Sequence, residues 1–157
     1  MVAFLLASAV CAADHLAELQ AHFDKETHAS SKVKALQKLA DTQFEITRKA
    51  AASGDFSTVG FTFEKYRDNV RSCLLLLKNQ DPDVDKHAGS YRQLELQARK
   101  GIRELEDTLL VAPPAVRPPL ELVHKDLLDM DNELIAFLFP RRSSDVKNVP
   151  PPPEAKP

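Results

Sequence analysis

The chain has no tryptophan, only four glycines and two cysteines, and a formal net charge of -2. Each shortage removes something. So few glycines, with no long β-branched run, argue against a sheet protein. Near-neutral charge means the molecule as a whole is not built to neutralise a phosphate backbone, which sets nucleic acid aside as a partner. No Gly-rich phosphate loop occurs, and the serines fall in caps, turns and the tail without a His–Asp arrangement around them. At 157 residues there is room for one domain of ordinary size. No stretch supplies the ~20 consecutive apolar residues that a membrane span needs.

What is present is apolar periodicity. Phe56, Val59, Phe63, Tyr66, Val70, Cys73 and Leu77 step 3,4,3,4,3,4, and Leu120, Val123, Leu127, Met130, Leu134 and Phe137 step 3,4,3,4,3. That heptad spacing, as in a coiled coil, puts every named side chain on one stripe of a helix and leaves the other faces polar. Such stripes are made for packing against other helices.

Residues 1–13, MVAFLLASAVCAA, are apolar, end in small residues and precede Asp14. They read as the core and cleavage region of a secretory leader, cut after Ala12 or Ala13, with its basic start truncated, since no Lys or Arg precedes Lys25. Val10, just before Cys11, stands where a lipoprotein signal carries a small residue, which argues against lipid attachment. Cys73 alone would then remain. Its place on the stripe marks it as a small buried residue rather than a redox thiol or an intermolecular disulfide.

Residues 14–27, with Leu16, Leu19 and Phe23 at helical spacing, predict a short extra N-terminal helix. His28 to Ser31 interrupts it and offers a serine N-cap. A helix follows from about Lys32 to Ser53, striped by Val33, Leu36, Ala40, Phe44 and Ala51 and widened by Leu39 and Ile46. Gly54 ends it and Asp55 caps the next, which runs from Phe56 to Asn79 and stops at Asp81-Pro82-Asp83. A loop to Gly89 leads to a helix over Ser90–Val111, with Leu94, Ala98, Ile102, Leu105 and Leu109 inward. Gly101 costs roughly 1 kcal/mol of helix formation relative to Ala, which suggests a packing reason for it. The proline-rich connector 112–119 precedes a last helix to Phe139. Residues 141–157, with Pro150 to Pro153 in a row, predict a disordered tail with polyproline II character. The fold expected is all-α: an antiparallel four-helix bundle or two stacked helical hairpins over residues 14–140. Basic residues on 32–53 and acidic ones on 119–139 suggest that these two helices are neighbours.

Gly54-Asp55-Phe56, with Ile46 before and Val59 and Phe63 after, resembles the turn and second helix of a tetratricopeptide repeat. The resemblance implies a helical hairpin. The sequence departs from that pattern at Gln43, Thr47, Ala50 and Tyr66, and no second copy follows at about 34 residues. The segment is therefore read as a generic hairpin.

Three groupings are candidates for chemistry. His15, Glu18, His22 and Glu26 share one helix face, and two imidazoles with carboxylates suit a divalent metal; the same pattern also serves as a solvated face opposite Leu16, Leu19 and Phe23. Glu121-Leu122-Val123-His124 matches half of a di-iron unit but occurs once, without inward glutamates on the other helices. Arg92, Arg99, Lys100 and Arg103 make one side of their helix basic, beside Glu95, Glu104, Glu106 and Asp107, which intrahelical pairing explains.

The sequence thus points to a non-enzymatic, exported helical module, periplasmic or extracellular, that binds another protein or itself. No catalytic residue or cofactor is assigned. The competing reading is a periplasmic bundle that binds a metal or small ligand through His15, Glu18, His22 and Glu26.

Overall fold

The computed structural model describes residues 4–140, with side chains from Asp14 onward. Residues 1–3, the side chains of residues 4–13 and the whole of 141–157, on which the expected leader and disordered tail fall, lie outside the described residues. Five helices pack against one another: α1 (Phe4–Lys25), α2 (Ala29–Ser53), α3 (Phe56–Gln80), α4 (Val84–Val111) and α5 (Arg117–Leu138), with a 3₁₀ turn, Pro114–Val116, before the last. No strand occurs among the described residues. None of their helices is long and apolar enough to cross a membrane.

Local chemistry sets the turns. Gly54 takes the left-handed conformation at φ 79°, where its N–H closes α2, and Asp55 accepts from Thr58 N at 3.1 Å to open α3. Two expectations are corrected. The loop after α3 is not the long one expected up to Gly89: Asp83 caps Lys86 N, so α4 starts at Val84 and only His87 departs from helical geometry. A serine cap does not begin α2 either. His28 occupies the cap without a side-chain bond, and Ser30 and Ser31 lie in the first turn.

That junction is held by other groups. Gln80, at the end of α3, accepts from Ala29 N and donates to Thr27 O. The buried Lys32 donates to the Phe23 and Glu26 carbonyls, at 3.1 and 3.3 Å, with its ammonium 4.3 Å from the Phe23 ring centre. A cation here satisfies the orphan carbonyls at the end of α1 and complements the negative pole of that helix.

The predicted stripes form the core. Val59, Phe63, Tyr66, Val70, Cys73 and Leu77 from α3 are fully buried, and so are Leu36, Leu39, Leu94, Leu105, Leu127 and Leu134 from the neighbouring helices. Burying each such side chain contributes about 1.5–3 kcal/mol. Gly101 has its packing reason: the Tyr66 ring stands over it, and the Tyr66 hydroxyl donates to Gln97 O at 2.6 Å. Tyr91, one turn before Leu94 on the same stripe, is also buried; it lies edge-on to Phe137 and its hydroxyl donates to Asp81 O.

Helix α2 packs on α1, α3 and α4, and α5 packs on α4 and α3. The polar bridges between helices rise together in number: Gln37 with Gln93, Asp41 with Lys100 and Arg48 with Glu104 join α2 to α4. Arg71 with Asp126 and Lys78 with Glu133 join α3 to α5. Each of these two helix pairs therefore runs parallel. The acidic face of α5 meets the basic residues of α3, not those of α2 as the charge pattern suggested. Charge alone could not choose, because such exposed pairs are worth only ~0–1 kcal/mol.

Candidate functional site

Two grooves flank α1. The first lies between α1 and the start of α2, with a volume of about 460 Å³. His15, Glu18, His22 and Glu26 do line it together, as their spacing requires. Facing them across the groove are Lys34 and Lys38 from α2. His22 Nε2, exposed, stands 3.6 Å from Oε1 of the half-buried Glu26 one helical turn on. Among the described residues, no three His, Cys, Asp or Glu side chains converge so as to hold a metal ion. The opposing ammonium groups also disfavour a cation here.

The second groove is larger, about 640 Å³, and apolar. Leu16, Ala17 and Gln20 of α1 form one wall, Ile46 and Ala50 of α2 the next, and Phe61 and Thr62 of α3 the third. Gln43 and Thr62 are buried, whereas Phe61 is 70% exposed. An aromatic ring held open beside an apolar groove has the character of a contact residue. Lys49 and Lys65 stand along the rim. Nothing in the sequence singled this groove out. Phe61 is off the α3 stripe and reads as one more surface residue until α1 and α2 are placed beside it.

Where α4 meets α5, three charged side chains come together. Arg99 pairs with Glu95, four residues before it, and reaches Asp131 Oδ1 on α5 at 3.6 Å. Both carboxylates are buried, and Asp131 Oδ1 has no hydrogen-bond partner. Burial pushes the Asp131 carboxyl above the usual range, with the negative charge of Glu95 adding to it and Arg99 working against it. Further along, His124 Nε2 lies 3.0 Å from Glu106 Oε1 on α4. The Glu121–His124 unit is thus half of a surface pair with a different glutamate.

The remaining candidates settle into structural roles. Cys73 is fully buried, and burial pushes its thiol up to about 12. Neighbouring Arg71 points to Asp126 at 3.1 Å. On the basic side of α4, Arg99 belongs to the cluster with Glu95 and Asp131, and Lys100 bonds Asp41 across to α2. Charges that sequence reading assigned to intrahelical pairs therefore partly serve to join helices.

Compared with family models, curated proteins and solved structures, the chain matches none of them.

Proposed function

We propose that this chain is a non-enzymatic protein-interaction or scaffolding module, exported from the cytoplasm, whose working surface is the apolar groove between α1, α2 and α3. The observation that carries the reading is an apolar groove with an exposed aromatic ring at its edge. Leu16, Ile46 and Ala50 line it, and Phe61 stands 70% exposed beside them. A surface meant only for solvent has no use for an open aromatic-edged groove.

The helix order favours two stacked hairpins over a ring in which every neighbour is antiparallel. In this reading α2–α3 and α4–α5 are two hairpins laid side by side. The bridges between them span 55 to 59 residues. Stacked hairpins bury a continuous core between layers and need a polar outer face where the stack ends. Helix α1 is an extra layer packed on the first hairpin. Leader cleavage after Ala12 or Ala13 leaves a mature chain that begins inside α1, at the edge of the groove.

Native sizing of the protein recovered from the cell envelope tests the reading. The chain is expected in a complex larger than a monomer, reduced to monomer by Phe61→Asp. A cytosolic chain, or one that is monomeric with and without the substitution, would reject it.

A further inference from the structure

We propose that the chain pairs with a second copy of itself across α3, with Phe61 of each copy seated over Gly60 of the other in a third groove. This goes beyond the groove between α1, α2 and α3. The third groove lies on the other side of Phe61, and its role stands or falls separately.

The third groove has a volume of about 450 Å³ and runs between the start of α3 and the connector into α5. Phe56 and Gly60 line it from α3, Val116, Pro119 and Leu120 line it from the other side, and Phe61 is its edge. Gly60 is the feature with no reason inside the fold. A mid-helix glycine is unfavourable relative to alanine. At Gly101 the Tyr66 ring needs the space, but a Cβ at Gly60 would meet nothing within 4 Å. The space is open to a neighbour from outside, and bare backbone lets that neighbour come close.

The patch carries both halves of a contact. An exposed aromatic ring stands beside a hole with room for a ring. A two-fold interface must be self-complementary: where one residue meets another, the second copy repeats the contact in reverse. Phe61 and Gly60 are adjacent in sequence and so lie at one level of α3. Two parallel α3 helices, related by an axis between the ring and the groove, therefore seat both rings at once.

Charge agrees. Glu64 lines the third groove, and Lys65 lies one turn beyond Phe61 on the far side of the ring. Both are exposed. Further along α3, Arg67, Asp68 and Arg71 pair with one another and with Asp126. Glu64 and Lys65 have no such partner among the described residues. Seating Phe61 of one copy in the groove of the other carries its Lys65 alongside that groove's Glu64, and the two-fold repeats the pair.

Sizing of the purified full chain by light scattering and sedimentation tests the proposal. A concentration-dependent dimer is expected, unchanged by Ile46→Asp. Gly60→Ala should melt about 2–4 °C higher at dilutions where the chain is monomeric. The same change should weaken the dimer roughly tenfold, because the added methyl meets the second copy's ring. Glu64→Lys should weaken it at low salt, and Glu64→Lys combined with Lys65→Glu should restore it. A purified chain that stays monomeric while the envelope complex persists would overturn the proposal and leave the partner reading standing. A dimer abolished by Ile46→Asp would also overturn it, as would one indifferent to both Gly60→Ala and Glu64→Lys.

Discussion

The ring of Tyr66 on α3 lies against the backbone of Gly101 on α4, and a Cβ at position 101 would fall within it. The helix penalty of a mid-helix glycine is thus the condition for close approach of the two helices. Gly101→Ala is expected to destabilise by about 1–3 kcal/mol, the usual cost of overpacking, despite the better helix propensity of alanine. Tyr66→Leu in the same chain should remove most of that added cost. Denaturant melts of the four members of the cycle measure it; additivity would show that the two residues are not coupled.

Phe63 and Leu127 are fully buried. Phe63→Ala is expected to cost ~3–5 kcal/mol and Leu127→Ala ~2–5 kcal/mol. With only ~5–15 kcal/mol available to a domain of this size, either variant should melt much earlier. A normal melt with lost association would mean that an interface has been mistaken for a core.

Asp131 gives stability a pH dependence of definite sign. Its carboxyl is raised above the ordinary value near 3.8, chiefly by burial. The folded chain therefore binds this proton more tightly than the unfolded one. Stability is lost as pH climbs from the ordinary carboxylate range through the raised value, then stays level. Asp131→Asn removes the titration. Relative to the parent, the variant should gain stability with rising pH across that window. A difference that is flat with pH, or that falls, would refute the assignment.

Cys73, its thiol held up to about 12 by burial, should be inert in the native state. In a Cys11→Ser background, a thiol reagent at pH 8 is expected to react only after the chain is unfolded with guanidinium. Rapid native labelling would show that the core around α3 opens readily.

Much of the fold was legible because a 3.6-residue period leaves its mark on every buried helix, and the α3 and α5 stripes needed no tertiary information. The start of α4 was less so. Pro82 and Gly89 read as breakers, but Asp83 caps a helix that passes through Gly89. The helix pairing was not legible, since surface charges on α2, α3 and α5 suit several neighbours at nearly equal energy. The candidate groove was still less so. Phe61 acquires meaning only from Ile46 and Leu16, which lie 15 and 45 residues away in sequence. Glu95 read as part of an intrahelical pair and Asp131 as one of the acidic residues of 119–139, and their burial emerges only where α4 and α5 meet.

Photocrosslinking in intact cells tests the central claim most directly. A photoreactive phenylalanine analogue is placed at position 61, on the rim of the groove, and at position 125, on the exposed outer face of α5, as control. The account predicts a discrete adduct from position 61 that is absent from position 125 and is lost with Ile46→Asp. No adduct from position 61, or the same adducts from both positions, would contradict it.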